Sequence, residues 1–174
     1  SRSVAPNWPD ERTNGKYLVY LHGFQVNGQQ ARGEHAEAFK RLHQMGSNTR
    51  FVGVTWHGAY KIDFHKGVFN ALQTGHHLDG RLGLSGDVSV IAHSLGNMVV
   101  SNAIQNGGFR PNRYFMMNAA VAIEAYSGGN MDPDMVESEW ISFNQDGSID
   151  QSESINPDEY ASNWYQLFNG TSDN

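Results

Sequence analysis

Apolar residues along this chain fall into short runs, and segments with helical spacing of apolar positions separate the runs. The runs are almost continuously apolar, which is typical of strands in a parallel sheet covered on both faces. The alternation of such strands with helices predicts an α/β fold, a mainly parallel sheet flanked by helices. The predicted strands are Tyr17–Leu21, Phe51–Trp56, Val88–Ala92 and Tyr114–Val121, and the predicted helices are Glu34–Met45, Asp63–Leu72 and Asn97–Ile104, ended by Gly46, Gly75 and Gly107-Gly108 respectively.

This regular pattern fades after residue 126. We therefore expect a core over residues 1–126 and an acidic region of the same domain over residues 127–174. Residues 1–113 hold all 12 basic residues and 7 acidic ones, whereas residues 114–174 hold 11 acidic residues and no basic one. The acidic part is interpreted first as a solvated excursion on the surface. The same asymmetry argues against nucleic acid as a partner, because no basic stripe lies near the acidic part of the chain.

Composition limits the class of protein further. The chain has 174 residues, of which 39% are apolar and 17% charged, enough for one globular domain with a core. No apolar run approaches the roughly 20 residues of a membrane-spanning helix, so no transmembrane segment is expected. The sequence has no cysteine and starts at Ser1, and we expect any signal peptide to be absent from this numbering. The compartment is not fixed by these features, and an exported protein is the favoured expectation.

The stretch Ala92-His93-Ser94-Leu95-Gly96 carries the strongest chemical signal. It follows an apolar strand and precedes a helix, the arrangement of a nucleophile elbow, in which a serine hydroxyl stands on a sharp turn. Small residues are needed because strand and helix cross closely there, and Gly96 meets that need.

A second signal lies about seventy residues earlier. His22-Gly23-Phe24 lies at the end of the first apolar strand, and a strand that ends in His-Gly is where the architecture of a nucleophile elbow places its oxyanion loop. Ligands of parallel sheets bind beyond the carboxyl ends of the strands. We therefore expect Gly23 and Ser94 to lie on the same edge of the sheet.

From Tyr17 to Val121 these motifs resemble the α/β-hydrolase family in their order along the chain. The resemblance implies a serine hydrolase of carboxylic esters, esterase-like or lipase-like, acting on a small-molecule or lipid ester without a cofactor. Ser94 matches the nucleophile, and the backbone N–H groups of Phe24 and Leu95 match the oxyanion donors. The residues expected to support the site are His22, Gly23, His93 and Gly96.

The chain departs from the family pattern at the catalytic base. The family's acid and histidine follow the serine, but none of the eight histidines follows His93. His22 is a possible base by position, although its usual part is structural, and the His93 side chain is expected to point away from Ser94. The remaining histidines are interpreted as surface or packing residues whose spacing fits no zinc motif.

We therefore expect the acid and the histidine beyond Asn174, on a C-terminal remainder or a cleaved fragment of the same protein. An open edge at Tyr114–Val121 supports this expectation, because an apolar parallel strand there needs a neighbour. Residues 127–174 then resemble the insertion that forms a lid over the site. Two alternatives stay open: a binding module that kept the fold and lost the base, and an acyltransferase or thioesterase built on the same site.

Two short motifs lie in the acidic region. Residues 142–153 partly fit a twelve-residue calcium loop, with Asn144, Asp146, Asp150 and Glu153 as candidate ligands, but a polar turn is the preferred interpretation and no metal is expected. Asn169-Gly170-Thr171 matches the glycosylation sequon.

Overall fold

A computed structural model describes residues 13–58, 64–121 and 124–127 of the chain. The described residues form one sheet of four strands in the order β2-β1-β3-β4. All three neighbouring pairs are parallel. The strands are β1 Tyr17–Leu21, β2 Arg50–Val54, β3 Val88–His93 and β4 Arg113–Met117.

Strand β1 lies in the middle of the sheet and aligns the strand ends. Leu21 pairs with Val54 on one side and with Ala92 on the other. The loops that follow β1, β2 and β3 therefore leave the sheet at the same carboxyl edge. The predicted parallel sheet flanked by helices is confirmed.

The helices connect successive strands, except the last described one, which follows β4. Asn27 caps the first of them, because its side chain accepts hydrogen bonds from the N–H groups of Gln29 and Gln30 while its own backbone N–H donates to the Gln30 side-chain oxygen. This capping box places the start of that helix earlier than predicted. The helices are α1 Gly28–Gln44, α2 Phe64–His76, α3 Leu78–Leu82, α4 Gly96–Gln105 and α5 Glu124–Ser127.

Close packing between α2 and α4 explains one wrong prediction. Gly75 does not end α2, which continues to His76. A Cβ at Gly75 would lie 2.5 Å from the Val99 carbonyl oxygen, so this glycine lets the two helices touch. The core lies between these helices and the sheet, where Val19, Leu21 and Val90 are fully buried.

Two strands end earlier than predicted, and in both cases a hydrogen bond to the carboxyl-edge loops replaces sheet pairing. Strand β2 ends at Val54, and the Trp56 N–H binds the His22 ring. Strand β4 ends at Met117, and Asn118 follows with φ +43°. The chain turns there and brings the Ala120 N–H to the Ser94 carbonyl oxygen, at 3.2 Å.

Within the described residues, β4 pairs with β3 alone and forms an edge of the sheet. Its apolar side chains are unusually open: Phe115 is 52% exposed, Met116 45% and Met117 46%. Tyr114 is the exception, because it packs against the core cluster.

Several sequence predictions fall outside the described residues. They are the lid over residues 127–174, apart from Ser127, the candidate calcium loop and the sequon. No helix in the described ranges is long and apolar enough to cross a membrane.

Candidate active site

Ser94 occupies the turn between β3 and α4 with a backbone φ of +52°. Residues other than glycine rarely adopt this left-handed backbone conformation. It costs of order 1–3 kcal/mol and persists only where the surrounding structure holds it. Strand β3 ends at His93 and α4 begins at Gly96, so the turn is as tight as the sequence predicted.

Hydrogen bonds from three directions hold the Ser94 backbone. Its N–H donates to the Met117 carbonyl oxygen at 2.9 Å. Its own carbonyl oxygen accepts from the backbone N–H of Ala120 at 3.2 Å and from that of Asn97 at 3.1 Å. The Asn97 side chain adds a fourth bond at 2.8 Å. Strand β4 and helix α4 thus fix the turn together.

Two glycines make room for this turn. A Cβ at Gly23 would lie 2.8 Å from the Ser94 Cβ, closer than real Cβ atoms approach. A Cβ at Gly96 would lie 2.6 Å from the His22 carbonyl oxygen. The loop after β1 and the turn after β3 are therefore in direct contact at the carboxyl edge, where the sequence placed both.

His22 anchors the loop after β1 to the chain that follows β2. Its fully buried ring stacks on Trp56 with a centroid distance of 5.5 Å. The Nε2 atom accepts a hydrogen bond from the Trp56 N–H at 3.1 Å, so the ring proton is on Nδ1, which donates to the Gly23 carbonyl oxygen at 2.9 Å. Both nitrogens are engaged, which leaves no lone pair on this ring to receive a proton from Ser94.

Two further bonds complete that anchor. The Trp56 indole N–H donates to the His22 carbonyl oxygen at 2.8 Å. The Gln25 N–H donates to the Gly58 carbonyl oxygen at 2.7 Å, with Gln25 at φ +58°. Phe24 lies between these fixed points, so the direction of its backbone N–H is set by the loop and not by its own side chain.

The N–H groups of Phe24 and Leu95 donate to no other group within the described part of the chain. Their side chains meet at helix α2. A Cβ at Gly67 would lie 2.7 Å from the Phe24 ring and 3.2 Å from Leu95 Cδ2. The two residues thus pack on one glycine, and their backbones flank the contact between Gly23 and Ser94.

His93 lies beside the same contact. Its ring is half-buried, and Nδ1 is 3.3 Å from the position that a Cβ on Gly23 would take. His35 is part of helix α1 instead, and its ring lies against Gly53 with its centroid 6.2 Å from that of His22.

Burial lowers the pKa of His22, and neighbouring Glu34 only partly opposes this effect. Burial also lowers the pKa of His35, and the nearby His22 ring adds to the shift. Both rings therefore favour the neutral form, which matches the acceptor role of His22 Nε2.

Sequence reasoning missed several residues of this region. Asn97 is fully buried in α4 and binds three carbonyl oxygens around the turn. Gly58 and Gly67 make close contacts that no local pattern marks. Only Asn97 left a signal, since a polar residue interrupts the otherwise apolar start of that helix.

No group of three or more metal-ligating side chains occurs among the described residues. The four oxygen ligands suggested for calcium lie outside those residues.

Comparison with known proteins gives one distant likeness. No protein-family model matches the chain, and no curated protein matches it. Among solved structures, the chain is similar to an extracellular α/β-hydrolase from a Paenibacillus species, described as sharing structural and functional homology with tobacco salicylic acid binding protein 2. The identity is 17% and the TM-score 0.47 over 64% of this chain and 44% of that one, so the chain spans less than half of that structure.

Proposed function

We propose that this chain carries the nucleophile and the oxyanion hole of a serine hydrolase that acts on carboxylic esters. The observation that carries the proposal is the strained Ser94 turn, at φ +52° and pressed against Gly23. Strain of this kind clusters at functional sites, because the surroundings must be built to hold it. The order of the sequence motifs supports the same function.

In the proposed reaction, Ser94 Oγ attacks the ester carbonyl carbon while its proton passes to a histidine base. The negative charge that develops on the carbonyl oxygen is held by the N–H groups of Phe24 and Leu95. Each such donor is typically worth about 3–4 kcal/mol of transition-state stabilisation. The intermediate then releases the alcohol, which takes the proton from the base, and water hydrolyses the acyl-serine by the reverse path.

The base is proposed to come from outside this sequence, together with the acid. No histidine follows His93, and the hydrogen bonds of His22 occupy both ring nitrogens. A serine without a positioned base keeps only the catalysis of its oxyanion hole, and losing a triad member can cost about 10⁴–10⁶ in kcat.

A fluorophosphonate probe tests the nucleophile directly. The protein that carries this chain, with any polypeptide that copurifies, is treated with the probe and the labelled peptide is identified by mass spectrometry. We expect label on Ser94, with label and ester hydrolysis both lost in Ser94→Ala. Both should be retained in Ser89→Ala, where the half-buried serine belongs to β3. Ester hydrolysis that survives in Ser94→Ala would refute the proposal, and stable ester binding without turnover would favour a binding module.

A further inference from the structure

A chain of hydroxyl and amide groups, some fully and some partly buried, lies directly behind the Ser94 turn. It is centred on Asn97, a fully buried residue in the first turn of α4. Buried amides need partners for both their donors and their acceptor. Asn97 has all of them.

The nitrogen of this amide is identified by what surrounds it. Asn97 Nδ2 lies 3.0 Å from the Ala92 carbonyl oxygen, 2.8 Å from that of Ser94 and 3.4 Å from that of Met117. Carbonyl oxygens only accept hydrogen bonds, so the group facing them is the donating NH₂. Its two protons connect the strand before the turn, the turn itself and the end of β4.

The oxygen of the amide is held from the opposite side. The Tyr114 hydroxyl donates to Asn97 Oδ1 at 2.9 Å. That hydroxyl is 3.4 Å from Ser101 Oγ, which in turn is 2.8 Å from the Tyr126 hydroxyl on α5. The amide therefore cannot flip without breaking its contacts to β3, to the turn and to β4.

We infer that Asn97 is a positioning residue, whose side-chain amide holds Ser94 in its left-handed conformation, and that Tyr114 fixes the orientation of this amide. The Ser94 carbonyl oxygen accepts three hydrogen bonds, and the Asn97 amide makes the shortest of them. Without that amide, the remaining bonds must hold the strained turn alone. The catalytic consequence rests on the proposed role of Ser94, whereas the conformational one does not.

The test compares two buried asparagines of the same helix. Asn97→Leu removes the amide behind the turn, and Asn102→Leu removes an equally buried amide that donates to the Leu72 carbonyl oxygen of α2 at 2.7 Å. Both variants lose a buried hydrogen bond, so thermal unfolding is measured on each. We expect the inactivation rate of Ser94 by a fluorophosphonate to fall at least about tenfold in Asn97→Leu, with unchanged probe affinity, and to change less than about twofold in Asn102→Leu.

A conformational measurement separates this inference from the proposed function. Crystal structures of both variants report the φ of Ser94, and hydrogen exchange reports the Ala120 amide that donates to its carbonyl oxygen. We expect a negative φ or faster Ala120 exchange in Asn97→Leu alone. A positive φ and unchanged exchange in Asn97→Leu would overturn the inference, even where Ser94 is labelled normally. Failure of the probe to label the unmodified protein would instead count against the proposed function. The φ of Ser94 and the Ala120 exchange would still decide the inference about Asn97.

Tyr114→Phe provides the same test if Asn97→Leu does not fold, because it removes only the hydroxyl that holds Oδ1. Its matched control is Tyr17→Phe, which removes a hydroxyl that accepts from Arg50 at the opposite end of the sheet. Faster Ala120 exchange in Tyr114→Phe than in Tyr17→Phe supports the inference, and equal exchange in the two variants overturns it.

Discussion

Gly23 and Ser94 touch, although about seventy residues separate them in the sequence: a Cβ on Gly23 would lie 2.8 Å from the Ser94 Cβ. This distance is shorter than real Cβ atoms show, so any side chain at Gly23 would have to displace Ser94. The contact links the loop proposed to stabilise the oxyanion with the residue proposed to attack.

The first prediction concerns that contact. We expect Gly23→Ala to reduce ester hydrolysis by at least tenfold, because the new methyl group displaces Ser94 or the Phe24 N–H. Phe24→Leu should be milder, since its backbone is the proposed donor. Gly33→Ala in α1 is the control, because a Cβ there meets nothing within 4 Å and alanine favours helix. Equal activity of Gly23→Ala and Gly33→Ala would show that the contact is not needed.

The second prediction uses the strain at Ser94. Glycine adopts positive φ freely, whereas alanine keeps the penalty, so Ser94→Gly should unfold with a free energy about 1 kcal/mol higher than Ser94→Ala. Both variants should lack activity. At Ser89, which is in the extended strand β3, the order should reverse, because glycine weakens a strand. Urea denaturation of the four variants measures both differences, and a Ser94→Ala variant as stable as Ser94→Gly or more stable would contradict a strained turn.

The third prediction concerns Gly67, on which the side chains of Phe24 and Leu95 both pack. A Cβ there would lie 2.7 Å from the Phe24 ring, so we expect Gly67→Ala to lower kcat by displacing the loop that carries the first donor. Gly80→Ala in α3 adds a methyl group where nothing lies within 4 Å. Steady-state kinetics should give a lower kcat for Gly67→Ala than for Gly80→Ala. Equal kcat values would show that Gly67 does not influence the site.

The fourth prediction concerns pH. Burial lowers the pKa of His22 and His35 below 6.5, so between their folded pKa values and about 6.5 the unfolded chain binds more protons than the folded one. Their contribution to stability is therefore complete above about pH 6.5 and is lost as the pH falls through that window. Glu34 favours the charged form of His22 and reduces the effect without reversing its sign.

Thermal unfolding between pH 7.5 and pH 5 measures this loss. We expect His35→Gln to flatten the dependence on pH, because it removes one of the two buried rings. His43→Gln is the control, since this residue is exposed on α1. If the pH dependence of the unfolding temperature is unchanged in His35→Gln and reduced in His43→Gln, its assignment to the buried His35 is wrong.

The sequence predicted the sheet well because buried parallel strands are recognisable from continuous apolar runs. It failed at the ends of β2 and β4, where the Trp56 N–H donates to the His22 ring and the Ala120 N–H donates to the Ser94 carbonyl oxygen. Their hydrogen-bond partners are distant in sequence, so local periodicity does not indicate them.

The candidate site divides in the same way. Ser94 and Gly23 lie in short motifs whose residue types follow from the tight turn, and they were predicted from the sequence. Asn97, Gly58 and Gly67 act through contacts with other elements. The prediction that Gly75 ends a helix is wrong. A glycine that allows two helices to touch cannot be distinguished in the sequence from one that ends a helix.

The strand order also has a consequence for how the protein is made. Strand β1 is synthesised first but lies between β2 and β3. Its residues can therefore pair on one side only after β2 is made and on the other only after β3, as Tyr17 does with Arg50 and Val88. Val19 and Leu21 remain without their helical cover until α2 and α4 have left the ribosome. A nascent chain that ends before β3 therefore exposes the centre of the future sheet, and this period of synthesis is when chaperones would contribute most.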